Sequence, residues 1–564
     1  GGGRMTRGRV KGAGFRLAAC ALVGACLAAC GEPRSSERPP GWTSAERTEP
    51  DVPESQRYGG TIVVAGRGDP LSMNSLASTD FESGQHQIYV LFVTLVSNDA
   101  SYEPQPYFAS SWEFDADTSQ VIFHLRHDLQ WHDGAPVTAR DVAFTFERLK
   151  DPAVPFPNPS YFDNWDAVEV IDPVTVRFFI RPHANPLYGW SRTAIMPEHL
   201  LGDVPPEDLE SSPFGLLSPV GDGPFRFAER IPGDRWVFTA NEDFPEELGG
   251  RPYVDRLVYR QIPDEFALAA ALQTGEVDIV IDASPSMIQQ VSDDSSTVPV
   301  SYPAPEYAFI AWNSKRPEFA DPLVRRALTM AIDRGTIVQA VLGGNGTVAT
   351  GPVGPWHWAF DSTWVPLPFD PDSAGALLDR AGWTDTDGDG VRDRNGQPFR
   401  FELLATPRKD WAAVQTLVQA SLRRIGVEVE PVVREQSALI PLVIGADRRF
   451  DAVIIGWARD VPLNDADLWA CDQVGQPFQF TSYCNPLLDP VLDSIPLVAD
   501  RTRLRSLIGR YHDLIVADQP YTFLYYLDRV DLVNGRVYGT RMDSRGDWVN
   551  VTRWWVRDAG TRGR

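Results

Sequence analysis

Cysteine is scarce, and its placement excludes a zinc framework. Of five cysteines in 564 residues, Cys20, Cys26 and Cys30 lie near the N-terminus and only Cys471 and Cys484 remain for the rest of the chain. Two thiols cannot supply the paired spacings of a structural zinc site. The apolar run LAACALVGACLAA at residues 17–29 is shorter than the roughly 20 residues that a membrane-spanning helix needs. Basic charge is in the minority, with 52 Lys and Arg against 76 Asp and Glu, and the resulting net charge of -24 disfavours a polyanionic partner such as nucleic acid. There is no HExxH helix, GxSxG elbow or SxxK pair, so catalysis has no positive sequence signature. Internal repeats of roughly 20–50 residues are absent as well, which excludes solenoid and propeller architectures.

What is present is ordinary material for large cores. Apolar residues make up 43% and charged residues 23%, near the average for soluble globular chains, and the length predicts about three or four domain-sized units. The N-terminus departs from this average: MTRGRVKGAGFR at residues 5–16 is basic, and the apolar run follows at once. That pairing predicts a secretory signal over residues 1–29, and its end, LAAC, resembles the lipobox of bacterial lipoproteins with Cys30 as the lipidated residue. Pro33, Ser35, Ser36, Pro39 and Pro40 then mark residues 30–57 as a lipidated Cys and flexible tether. Removal of residues 1–29 leaves 47 basic residues against 76 acidic, a mature charge of -29. In an oxidising compartment, Cys471 and Cys484 are expected to form a disulfide.

Strand patterns at residues 61–65, 121–126, 174–180, 256–262, 277–281, 427–433 and 451–457 are interspersed with helical ones. Thr138 and Asp141 predict a capping box, Asp321-Pro322 and Asp370-Pro371 open further helices, and Asp410 opens another that Gly426 ends. Helix followed by strand along the body predicts an α/β fold.

Seven segments follow in order: FHLRHDLQWHDGAPVTARDVAFTFERLKDP (123–152), PVGDGPFRF (219–227), LQTGEVDIV (272–280), FADPLVRRALTMAIDRGTIV (319–338), FDPDSAGALLDRAGW (369–383), FDAVIIGW (450–457) and YCNPLLDPVLD (483–493). Together they resemble the solute-binding proteins of bacterial ABC importers known as family 5, the oligopeptide and dipeptide binders. The resemblance implies a two-lobed periplasmic-binding-protein-like (type II) fold with an extra subdomain in the first lobe. It places lobe 1 at residues 58–305 with the subdomain at about 103–199, lobe 2 at 306–523, and a C-terminal return to lobe 1 at 524–564. It also implies an extracytoplasmic monomer that captures short peptides for an ABC permease, anchored to the membrane by the lipid on Cys30, without catalysis, cofactor or metal. In the family, an Asp three residues after the Trp of the FDAVIIGW block pairs with the peptide's α-ammonium, a spacing that Asp460 holds. Trp457, Ala458 and Arg459 accompany it, and a looser alignment adds Asp69 and Tyr525 or Tyr526. LSMNSL at residues 71–76 departs from the family's SLDP pattern.

Competing readings have their own residues. His124, His127 and His132 cluster in sequence, but on a strand His124 and His127 point to opposite faces. DTDGDGVRDRNG (385–396) imitates a calcium loop with Asp385, Asp387, Asp389 and Asp393, yet has Gly396 where a bidentate Glu belongs. Trp356, Trp358 and Trp364 could offer a sugar platform or could pack. An oligosaccharide or other small solute is therefore the alternative ligand, with a secreted hydrolase or a ligand sensor behind it.

Overall fold

The computed structural model describes residues 50–78, 80–154, 156, 164–181, 183–291, 296–445, 447–459 and 461–557. Cys30, the signal segment, most of the tether and Asp460 lie outside the described residues. Among the described residues, no helix is long and apolar enough to cross a membrane.

Local chemistry forms the elements much as the sequence predicts. Thr138 and Asp141 close a reciprocal capping box on helix Ala139–Lys150, and Asp321 and Asp370 cap helices that begin with proline. The helix at Lys409–Arg423 is the exception: its N-cap is Arg408, and Asp410 lies in the first turn, where its carboxylate accepts from Arg408 at 2.8 Å. A negative charge there favours the helix dipole without capping it.

A single path of paired strands runs through the molecule. From one edge it passes through Glu428–Val433, Arg400–Ala405, Ala452–Ala458, Thr297–Trp312, Tyr521–Asn534, Ile279–Val280, Thr61–Gly66, Arg256–Gln261, Arg235–Ala240 and Phe225–Ile231. Two strands in the middle, Thr297–Trp312 and Tyr521–Asn534, are unusually long and pair antiparallel. At one end their residues Tyr302 and Val533 join a core that contains Ile62, Phe238, Leu257 and Trp554. At the other end, Ala308 to Trp312 and Tyr521 to Tyr526 join two cores with Leu328, Leu403 and Val418, and with Trp356, Trp469 and Tyr511. The molecule therefore has two lobes, and these two strands carry the chain between them.

Between the lobes the register breaks, shifting between the Pro303–Asp528 and Tyr307–Tyr526 pairs. Pro303 and Pro305 lack the N–H that a continuous ladder needs, so the break falls where the ladder is weakest. The cores change lobe between Tyr302 and Tyr307 on one strand and between Leu527 and Val533 on the other. Residues 524–527 thus pack with the second lobe, and the return to the first begins a few residues later than the sequence reading placed it. A separate four-stranded sheet, in the order Ala109–Phe114, Gln120–Leu125, Thr175–Ile180 and Trp165–Asp172, lies in the region read as the subdomain.

Candidate ligand site: the cleft at the strand crossings

The register break opens onto a cavity of about 730 Å³. Its lining comes from both lobes and from the crossings themselves: Arg67 and Asp282 follow first-lobe strands, Glu306 and Arg529 lie on the crossing strands, and Arg408 and Asp410 open a second-lobe helix. A neighbouring cavity of about 440 Å³ shares Arg67 and Asp282 and adds Glu82. Asp282 has φ 53°, the left-handed region that a short polar side chain tolerates better than most. Its N–H donates to Asp531 Oδ1 at 2.9 Å.

Charges in the cleft are mostly satisfied in pairs. Arg67 lies 3.6 Å from Asp282, Arg408 2.8 Å from Asp410 and Arg529 3.1 Å from Asp547. Beneath the crossings is a buried group made of Asp531, Asp547, Tyr302 and Arg529. The Tyr302 hydroxyl donates toward Asp531 Oδ2 at 3.2 Å and also contacts Asp547. Burial, followed by repulsion from Asp547, raises Asp531 well above the carboxylate range. Burial raises Asp547 too, against the opposing pull of Arg529. Glu82 is pushed up to about 7 by burial and then by Asp547, and its Oε2 is buried without a hydrogen-bond partner. Ionising all these carboxylates around one guanidinium would leave uncompensated negative charge in a low dielectric, so the group retains protons.

The sequence-derived candidates separate into two sets. Ala458 is exposed and pairs in register with Glu306 at the break, and Trp457 beside it is half-buried. Trp457 lies in an aromatic group with Phe309, Phe478 and Phe480 and points its Nε1 at the Tyr521 hydroxyl, 3.4 Å away. Arg459 turns inward instead: it is ion-paired with buried Asp465, and although burial opposes its charge, Asp465 more than offsets this. Asp69 is committed within the first lobe, accepting from Trp236 Nε1 at 2.8 Å and facing Arg230 at 3.3 Å.

Tyr525 and Tyr526 are buried, at 1% and 2% exposure. Tyr525 belongs to a second-lobe core, and the Tyr526 hydroxyl bonds the backbone at Thr350, Gly351 and Val353. Alternation on the strand sends the two rings into different cores, while the Tyr525 hydroxyl still feels Asp410, Arg408 and Glu306 of the cleft. Glu306, Arg529 and Glu82 were missed. The signal that could have found Glu306 is PAPEY, two prolines interrupting a β-branched and aromatic run.

The other motifs resolve locally. His124 is 3.8 Å from Glu113, whereas His132 is half-buried with Nε2 3.0 Å from the Gly223 carbonyl. Asp385, Asp387 and Asp393 can bring ligand atoms within 4.8 Å of one another, but Asp385 accepts from the Gly388 and Gly390 N–H groups and Asp393 from Thr386. Trp356 is buried, Trp364 stacks on His512 at 3.7 Å and Trp358 lies under Arg501 at 4.0 Å, all in the second lobe's packing. Cys471 and Cys484 are joined by a disulfide.

Comparison with known proteins places this geometry. Residues 103–477 match the family described as bacterial extracellular solute-binding proteins, family 5 Middle. The oligopeptide-binding protein AppA of Bacillus subtilis is 31% identical over 97% of this chain and 99% of its own length. Its structure in complex with a nonapeptide covers 89% of this chain and 99% of that one, with a TM-score of 0.69. Heme-binding protein A of Haemophilus influenzae is 28% identical over 79% of this chain and 80% of its own.

Proposed function

Because this chain belongs to the bacterial extracellular solute-binding proteins of family 5, we propose that it captures short peptides in the cleft at the crossings and hands them to an ABC permease. The observation that carries this reading is the 31% identity, over nearly the whole of both chains, to an oligopeptide binder whose structure holds a nonapeptide. The action is binding alone, with no bond made or broken. Main-chain pairing with an extended peptide gives affinity that tolerates sequence, and pockets for side chains set preference. Ligand closes the lobes only to the extent that it binds the closed state better.

Asp460 is the proposed partner of the peptide's α-ammonium. Losing a charge-assisted bond in a closing, water-poor cleft costs on the order of 2–5 kcal/mol, so Asp460→Ala should weaken peptide binding by about 30-fold or more. Calorimetry with free and N-acetylated peptides tests this: acetylation should hurt the wild type far more than the variant, since both changes delete one pair. Equal binding of the two peptides by wild type rejects the assignment. Native mass spectrometry of protein purified without denaturation identifies the carried solute, and a heme or sugar found in place of peptide rejects the ligand class. The protein is proposed to act as a monomer tethered by lipid at Cys30, so Cys30→Ala should release it from the membrane fraction or leave it unprocessed.

A further inference from the structure

Among the described residues lining the main cavity, Glu306 is a carboxylate that the protein leaves uncommitted. Three guanidiniums line the main cavity, and each has a carboxylate within ion-pair distance: Arg67 with Asp282, Arg408 with Asp410, Arg529 with Asp547. Glu306 lines the same cavity, and its carboxylate makes no hydrogen bond or ion pair with any described residue. Its position is fixed by the backbone. Glu306 stands at the register break, opposite exposed Ala458, whose methyl group is too short to cover it. The N–H of Arg459 donates to the Pro305 carbonyl at 2.6 Å, which locks the adjoining strand end beside it.

A further observation points to a cationic ligand group. Glu306 is exposed to the cavity, yet enough protein surrounds it that burial raises its carboxyl above the ordinary value; Arg529 and Arg408 oppose this and Asp282 adds to it. Its charged form is therefore partly desolvated and unpaired, a state that a cation entering the cleft would relieve. The local guanidiniums cannot do this without abandoning Asp410 or the buried Asp547.

We propose that Glu306 is a specificity-determining residue that selects peptides carrying a lysine or arginine side chain at the position lying against the strand crossing. This deepens the peptide-binding reading and rests on it; the α-ammonium is assigned to Asp460, so the cation at Glu306 comes from a side chain.

The test uses the full-length mature protein and alanine-based nonapeptides with one lysine at successive positions, each matched to norleucine at the same position. At one position wild type should prefer lysine by about 10-fold, and Glu306→Gln should reduce that preference to about 2-fold or less. Glu306→Lys should invert it in favour of glutamate, and its retained binding of the glutamate peptide shows that the variant is folded. Lysine preference that survives in Glu306→Gln overturns the inference. So does the absence of any lysine preference while peptides still bind, and in that case the peptide reading stands. If the Glu306→Gln effect disappears when the same peptides are N-acetylated, the carboxylate serves the α-ammonium and the side-chain assignment is wrong. If no peptide binds at all, the peptide reading itself fails and this inference fails with it.

Discussion

Glu82 reverses the usual pH behaviour of a carboxylate. Its side chain borders the cleft between Arg67 and Asp282 and faces Asp547, Arg529, Asp282 and Asp80, and burial with the Asp547 charge lifts it from 4.5 to about 7. The folded state thus binds this proton more tightly than the unfolded chain does. Its contribution to stability is full below pH 4.5 and is lost as pH rises through 7. Glutamine keeps the shape without the charge, so Glu82→Gln should be more stable than wild type at pH 8, by about 1–3 kcal/mol, and no more stable at pH 4. Urea denaturation at both values decides, and an equal gain at both would mean that titration is not the cause. Four histidines act in the opposite sense. His86, His132 and His357 are lowered to about 4 and His512 to about 3, in each case chiefly by burial. Stability they contribute is complete above the unfolded value of 6.5 and is lost as pH falls toward 4.

Among elements, those with their own chemistry were legible and those that depend on a partner were not. The capping box at Thr138 and the Asp-Pro helix starts are local arrangements of backbone donors and short side chains, and they read directly. The two crossing strands were missing from the sequence reading. Pro303 and Pro305 argue against a strand, and only long antiparallel pairing with Tyr521–Asn534 makes the segment one, with the prolines at the register shift. Since the crossings carry Glu306 and Arg529, missing them meant missing the cleft floor, while the family block ending at Trp457 led to the adjoining strand end. The disulfide belongs to this scale as well. Cys471–Cys484 closes a loop across 13 positions that brings Phe478 and Phe480 against Trp457, with ring centroids 6.1 Å away in both contacts. Replacing both cysteines with alanine should cost on the order of 3 kcal/mol, a figure set by loop-closure entropy. Denaturation with and without reductant checks it: reductant should destabilise wild type by a similar amount and leave the double variant unchanged. An insensitive wild type would show that the bridge contributes nothing.

The whole molecule has a second line of contact between its lobes, remote in sequence from the crossings. Glu103 and Ser101, in the turn before the subdomain's sheet, meet Arg501 of the second lobe through an ion pair and a hydrogen bond of 3.0 Å to the Ser101 carbonyl. The Arg501 guanidinium also lies 4.0 Å from the centroid of the Trp358 ring. Nearby, the Ala184 N–H donates to the Pro496 carbonyl at 2.7 Å, and Ala184 packs into a second-lobe core. Contacts that join the lobes at both the crossings and this rim favour the closed arrangement, and a change at the rim shifts that equilibrium without touching the ligand. Arg501 is partly exposed, so its ion pair contributes about 1 kcal/mol or less, and Arg501→Ala should raise the peptide Kd by about 2- to 5-fold. The same variant should increase the radius of gyration of the ligand-free protein in small-angle scattering and leave the peptide-saturated value as in wild type. Half-molar salt should shrink the difference in Kd, because the pair is screened over a few ångströms at that ionic strength. If Kd and the ligand-free scattering both match wild type, the rim contacts are passive packing and closure is governed at the crossings alone.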